Sequence, residues 1–373
     1  MNANTSRQSS VDSDESAQLV SQMSWTPRDL PTGRHQFHKE RLMAQIHQIQ
    51  QDERTAASES AAPARTRRLR LPRPAIALPA LAAALAAAVV AGVTMNDSGG
   101  VRVSGVATGP ALTTHIGAAS AKGVPQLLDQ ISLAAAEAEG TRPAVKPGQY
   151  VYIESQSADT FLKTVDDKTS LASHTLHRRQ VWYSPDGTKG WLIDPAVNRS
   201  SGGETLSLPD EQGNTPVGGL NHPTYDYLTT LTTDPDQLLA TIYKETKGHG
   251  NSPDQEAFTT IGDLLVESYP PADLYPALFK TAAKIPGVVV VQDAVDAVGR
   301  HGIAVARLDE TSGQREEWIF DEKTHGFLGE RSVQVKRNTG TDALITPGTV
   351  TFTSAIVKRA IVDGIKQTPS ATG

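Results

Sequence analysis

No cysteine occurs among the 373 residues of the chain. That absence excludes disulfide scaffolds, thiolate zinc sites, iron–sulfur clusters, cysteine nucleophiles and a lipid anchor attached through a thiol. Aromatic residues are scarce, at 5% of the chain. The HExxH, GxSxG, P-loop and dinucleotide glycine patterns are all missing, so the commonest metallohydrolase, serine-hydrolase and nucleotide chemistries have no motif to stand on. The glycine pairs Gly202-Gly203 and Gly218-Gly219 follow no phosphate-binding pattern and read as loop. A net charge of −6 gives no reason to expect a nucleic-acid partner.

Charge is also missing from one particular place. From Ala75 to Met95 the sequence reads AIALPALAAALAAAVVAGVTM, 21 residues without an ionisable side chain. As a helix this run would reach about 31 Å, the thickness of a bilayer core. It divides the chain electrically. Residues 1–74 hold 11 Lys and Arg against 8 Asp and Glu, and residues 96–373 hold 24 against 33. Arg65, Arg67, Arg68, Arg70 and Arg73 crowd its N-terminal side, whereas Arg102 is alone beyond it. The positive-inside rule then places the N-terminus in the cytoplasm and residues from about 96 outside. An Ala-rich helix buried in a soluble core is the alternative, but no polar face interrupts the run. Its start at residue 75 suits an uncleaved signal anchor better than a cleaved signal peptide.

Before the span, residues 1–74 read as a mostly disordered stub. One amphipathic helix interrupts it, with Leu42, Ile46 and Ile49 on a common stripe. A helix of this length builds no core alone, so the stripe either meets a cytoplasmic partner or frays in a linker. His35, His38 and His47 near it have no cysteine or carboxylate to complete a metal set and read as a solvated face.

Residues 96–119 read as a linker, 120–362 as an extracytoplasmic domain and 363–373 as a disordered tail. The domain begins with a helix carrying Val124, Leu127, Leu128, Ile131, Ala135 and Ala138. Strands are expected at Gln149–Ser155, His174–Tyr183 and Gly190–Asp194, the last two joined by the turn Ser184-Pro-Asp-Gly187. Three helices follow, opened by Asp234-Pro235, Ser252-Pro253 and Pro271-Ala-Asp273. Strands at Val288–Val295, Ile303–Leu308, Arg315–Phe320, Phe327–Val335 and Gly348–Lys358 complete an antiparallel meander. The fold class is α+β: a curved antiparallel sheet covered by helices, tethered by one transmembrane helix. The space between sheet and helices is expected to be apolar, as core or as ligand cavity.

The search for chemistry within this frame yields no catalytic, cofactor-binding or metal-binding residue. His174 and His177, three apart on one expected strand, should face opposite ways, as should Glu316 and Glu317. Asp234 and Asp236 sit where a helix N-terminus favours acids. Trp182, Trp191 and Trp318 are the candidate pocket aromatics, with core packing as the alternative role. Trp182 and Trp191 become neighbours if the strands around Ser184–Gly187 pair.

The stretches DPDQLLATIYKETKGHGNSPDQEAFTTIGDLLVES, KIPGVVVVQDAVDAVGRHGIAVAR and REEWIFDEKTHGFLGERSV, with the PGQYVYIES strand and the Arg-flanked span, lie in order over residues 65–360. In this they resemble an uncharacterised family of actinobacterial single-pass membrane proteins, many of them encoded beside sigma factors. The resemblance implies a short cytoplasmic N-terminus, one span and an outer domain, and it carries over no activity or site residue. In shape, the element order is similar to the half-barrels of lipoprotein carriers and periplasmic sigma-regulatory sensors, which grip acyl chains between sheet and helices. The cysteine-dependent zinc motif of anti-sigma proteins is absent. The expectation is therefore a membrane-anchored extracytoplasmic binding or sensory protein without a cofactor. Its outer domain would meet a lipid or protein ligand, and its stub a cytoplasmic partner such as a sigma factor. An envelope enzyme and a purely structural envelope protein are the alternatives.

Overall fold

The computed structural model describes residues 106–138, 142–165, 168–198, 200–206 and 217–369. The Arg65–Arg73 cluster, the Leu42/Ile46/Ile49 helix and the 75–95 segment lie outside the described residues. Among the described residues no helix is long and apolar enough to cross a membrane.

In chain order the elements are β1 (Thr108–Gly109), β2 (Ala119–Ser120), α1 (Val124–Glu137), β3 (Tyr150–Val165), β4 (Lys168–His174), β5 (His177–Tyr183), β6 (Gly190–Ile193) and β7 (Glu204–Thr205). Then come α2 (Tyr225–Leu228), α3 (Pro235–Glu245), α4 (Pro253–Glu267), α5 (Leu274–Ala282), β8 (Val288–Val295), β9 (His301–Leu308), β10 (Gln314–Phe320), β11 (Phe327–Gln334) and β12 (Val350–Val362). The class is α+β, with one large antiparallel sheet ordered β2-β8-β9-β10-β11-β12-β3-β5-β6-β7.

The helices start where their caps dictate. The Asp234 carboxylate accepts from the Asp236 and Gln237 amides, with Pro235 opening α3. Ser252 Oγ accepts from the Gln255 amide ahead of Pro253 in α4. Asp273 caps α5 through the Leu274 amide. Each such cap is worth about 1 kcal/mol.

Two strands are longer than the sequence pattern indicates, and they make the sheet continuous. β3 runs on from Ser155 to Val165, and β12 runs from Val350 to Val362. They pair antiparallel from Phe352↔Asp159 to Val362↔Tyr150, welding the early hairpin to the late meander. β3 pairs on its other side with β5 over its first half and with β4 over its second. Between these pairings the register slips by one: Thr160 faces Ser173, while Ser157 faces His177. The extra residue at Thr175-Leu176 is a bulge, and a bulge reverses the inward–outward alternation beyond it.

α1, α3, α4 and α5 cover one face of the sheet. Leu128, Ile131, Phe258, Ile261, Leu278 and Phe279 pack there against Val305, Trp318 and Phe320. Phe258 stacks on Trp318 at 3.9 Å between ring centroids. Gly262 lets α4 come this close, because a Cβ there would stand 2.5 Å from Trp318 Nε1.

Two expected unstructured stretches are packed instead. Residues 106–119, expected as linker, lie against the opposite sheet face. There the Gly117 carbonyl accepts from Arg315 Nη1 at 2.9 Å, and Thr114 Oγ1 accepts from Arg331 Nη1. Arg315 and Arg331 both grip buried Glu317, at 2.6 and 2.7 Å. The two guanidiniums of that triad have donors left over, and a backbone carbonyl and a threonine hydroxyl of residues 106–119 accept from them. Residues 363–369, expected as tail, also dock: the Gln367 carbonyl accepts from Trp182 Nε1 at 2.7 Å.

Candidate functional site

α4 is buried along most of its length, and one of its faces is polar. Gln255, Thr259, Asp263 and Glu267 recur every fourth residue and so form one stripe. Below them the sheet presents its own polar positions: Ser155, Ser157 and Asp159 of β3, His177 and Arg179 of β5, Glu316 of β10, and Glu330 and Ser332 of β11. Between helix and sheet is a cavity of about 130 Å³, lined also by Asp194, Phe352 and Val266. The expectation of an apolar space is met in part: most of the cavity's exposed wall is carbon, but titratable side chains stand among it. Apolar packing fills the β8–β10 end, and the cavity occupies the end where strands and α4 both turn polar side chains inward.

The two sides of the cavity differ in how their charges are met. On the β5 side, His177 Nε2 lies 3.2 Å from Asp194 Oδ1 and its Nδ1 lies 3.0 Å from the Thr175 carbonyl. Both ring nitrogens face acceptors, an arrangement that suits the imidazolium. Burial opposes that charge, but the Asp194 hydrogen bond and the Thr175 carbonyl outweigh it and raise the His177 pKa above 6.5. Asp194 is itself buried, which works against its charge. His177 and Arg179 nevertheless hold its pKa below the usual value, and the Ala196 amide adds to the effect.

The bulge brings a second histidine alongside. His174 Nδ1 lies 2.7 Å from Asp159 Oδ1, and its ring meets that of His177 edge-on at 6.3 Å between centroids. The expectation that His174 and His177 point to opposite faces is therefore overturned. It assumed unbroken alternation, and the extra residue between them restores both to one face. Glu316 and Glu317 do face opposite ways, as an unbroken strand requires.

The α4 side lacks such compensation. Glu316 accepts from Thr259 Oγ1 at 2.7 Å and from Trp318 Nε1 at 3.3 Å. Asp263 and Glu267, one turn apart, have no hydrogen-bond or ion-pair partner among the described residues. Both are part-buried, and both line the cavity. Burial, then the charges of Glu267, Glu330, Glu316 and Glu256, push the Asp263 carboxyl well above the usual range. Burial also raises Glu267, with Arg179 partly opposing. A second cavity of about 30 Å³ shares Glu267 as a wall and is lined by Tyr183, Tyr225 and Tyr269. Among the described residues no three His, Asp or Glu side chains are placed to hold a metal ion together.

None of the three candidate tryptophans lines the larger cavity. Trp182 and Trp191 are register partners across β5 and β6, but they point to the opposite face, where they pack with Tyr152 and Val362. Lys366 Nζ sits 3.7 Å from the Trp191 ring centre. Trp318 is wholly buried against Phe258. The residues that do form the cavity left a signal in the sequence: the fourfold polar recurrence along α4, and the alternation Ser155, Ser157, Asp159 on a strand. Neither is decisive alone, because a polar helix stripe ordinarily faces water.

The arrangement can bind a group that supplies positive charge, or it can exchange a proton between the raised carboxyls and the solvent. Compared with models of known protein families and with the curated proteins, the chain matches none.

Proposed function

We propose that the chain is a membrane-anchored binding or sensory protein whose α+β domain receives a small polar ligand outside the membrane. Residues 75–95 span the bilayer once, and the arginines from Arg65 to Arg73 keep the N-terminus in the cytoplasm. The stub helix with Leu42, Ile46 and Ile49 reports inward to a protein partner. By the resemblance to the actinobacterial family, that partner is a sigma factor.

The cavity beneath α4 carries the binding half of this reading. Part-burying two carboxyls without partners costs stability, since desolvated ionisable groups are either neutralised or compensated by the rest of the fold. A purely structural domain has no use for that cost, whereas a ligand site does. The titratable side chains in the lining favour a ligand that carries a polar group over the bare acyl chain that a lipoprotein-carrier shape would imply. Native mass spectrometry of the full chain released from nanodiscs tests this, with a small polar mass expected on the protein. An acyl-chain adduct, or bare protein in every preparation, counts against it. For the anchor, protease added to intact spheroplasts is expected to digest beyond residue 100 and spare the stub, and the reverse pattern would sink the orientation.

One observation favours a second reading, an envelope enzyme. The His177–Asp194 couple shares the cavity with two carboxyls of raised pKa, the combination acid–base catalysis uses.

A further inference from the structure

We infer that the cavity takes an organic cation, a molecule bearing a primary ammonium or guanidinium group, with Asp263 and Glu267 receiving its charge. The inference rests on the binding reading above and names its ligand class.

The argument is one of unmet charge. His177 and Arg179 are engaged with Asp194, and the cavity lining includes no lysine. Glu316 is satisfied by Thr259 and Trp318. Asp263 and Glu267 remain, part-buried, lining the cavity and without hydrogen-bond or ion-pair partners among the described residues. An anionic ligand would add repulsion to this wall. A neutral ligand would leave both carboxyls desolvated and unpaired, at a further cost. A bound metal ion needs at least three convergent ligands, which the described residues do not supply. An ammonium or guanidinium needs only two carboxylates and donates to each. Phe352 and Val266 offer apolar contact to the carbon chain behind such a head group.

Binding must be linked to protons. Asp263 faces Glu256 and Glu267 on its own helix, Glu316 of β10 and Glu330 of β11. Across the cavity stand Asp159, His177, Arg179 and Asp194. Burial and these carboxylates raise the Asp263 pKa, so a bound cation that favours its charged form competes with a proton. Affinity therefore rises with pH.

The test is calorimetric titration of the full chain in nanodiscs at pH 5.5 and pH 8. The probes are putrescine, Nα-acetyl-lysine methylamide, 1,4-butanediol and glucose. Binding by the amines and not by the diol or sugar is expected, at least tenfold tighter at pH 8, with proton release seen as a dependence on buffer ionisation heat. Asp263→Asn should weaken amine binding tenfold or more, and far-ultraviolet circular dichroism should confirm that it is folded. Preference for putrescine assigns the site to a free amine, and preference for the lysine derivative to a protein side chain; either supports the inference. Equal binding of the diol or glucose, or amine binding untouched in both Asp263→Asn and Glu267→Gln, overturns the cation and leaves a binding site. If no probe binds, the cation inference falls. Native mass spectrometry then decides the wider reading: a neutral polar mass preserves it, and bare protein ends it too.

Discussion

Two interiors lie side by side under the same helices. At the β8–β10 end, Val290, Val305, Trp318 and Phe320 meet Phe258, Ile261 and Phe279, and Glu316 receives the Trp318 N–H. At the β11–β5 end, the same sheet face and the same helix present serines, carboxylates and His177 around a cavity. α4 serves both, burying Phe258 and Ile261 on one stripe and Thr259, Asp263 and Glu267 on the next. Stability is concentrated in the first region, and the second spends part of it. If this division is right, substitutions in the two regions should differ in sign as well as in size.

The largest effect should come from the apolar end. Phe258→Ala would leave a hole against the face of Trp318, where the rings stack at 3.9 Å. Truncations of this kind cost about 3–5 kcal/mol. The loss is expected as a lower urea midpoint with an unchanged slope, nearly independent of pH because no ionisable group is uncovered. A loss below about 1 kcal/mol would mean the stacked pair is not the centre of the core.

A smaller and pH-dependent loss is expected from His177→Gln, which removes the compensation on the β5 side. Both partners titrate, so the sign follows from their shifts. His177 is raised above its ordinary 6.5, and its contribution is complete below that value and lost as pH rises through the higher folded one. Asp194 is held below its ordinary 3.8, and its contribution is present above that value and lost as pH falls through the lower folded one. The pair therefore stabilises most between roughly pH 4 and pH 6.5. His177→Gln should cost about 2 kcal/mol in that window, as for a hydrogen bond between charged groups, and much less at pH 9. Melting temperatures at pH 5.5 and 9 decide it, and equal losses at both would show the ring acting by packing alone.

The division also explains what the sequence made legible. Helix starts at Asp234 and Ser252 were readable because a cap and a proline act within three residues. The five late strands were readable because turns such as Thr311-Ser-Gly313 punctuate them. Fold class followed from that order of elements. The β3–β12 weld was not readable, because it pairs Tyr150 with Val362, and alternation within either strand names no partner. The His174–His177 approach was hidden by a single bulge at Thr175-Leu176 that local propensity does not mark. Trp182 was correctly paired with Trp191 but put to the wrong use, since pairing fixes which residues adjoin and not which face meets the helices. The polar stripe of α4 was missed because 3.6-residue periodicity normally reads a polar face as solvent-facing. Only the sheet beneath, with Asp159, Glu316 and Glu330 turned inward, shows that it is not.

The smallest predicted change has the opposite sign. Asp263 titrates above the ordinary carboxylate range because it is buried among other acids, so the folded chain prefers it protonated. Its favourable contribution is complete below its unfolded pKa and is lost as the pH rises through the folded one, until at high pH its charge burdens the fold. Asp263→Asn keeps the shape and removes the titration. The variant should therefore match the parent near pH 4 and exceed it at pH 8 by on the order of 1 kcal/mol, the usual yield of relieving a functional strain. Paired melting curves at the two pH values check it. A structural Asp263 would lose stability on the same substitution, most of all at pH 8, where any ion pair it made would be at full strength. The gain, coupled with weaker amine binding, is what separates a site from a core, because only a group held for a ligand makes its own protein more stable when its charge is removed.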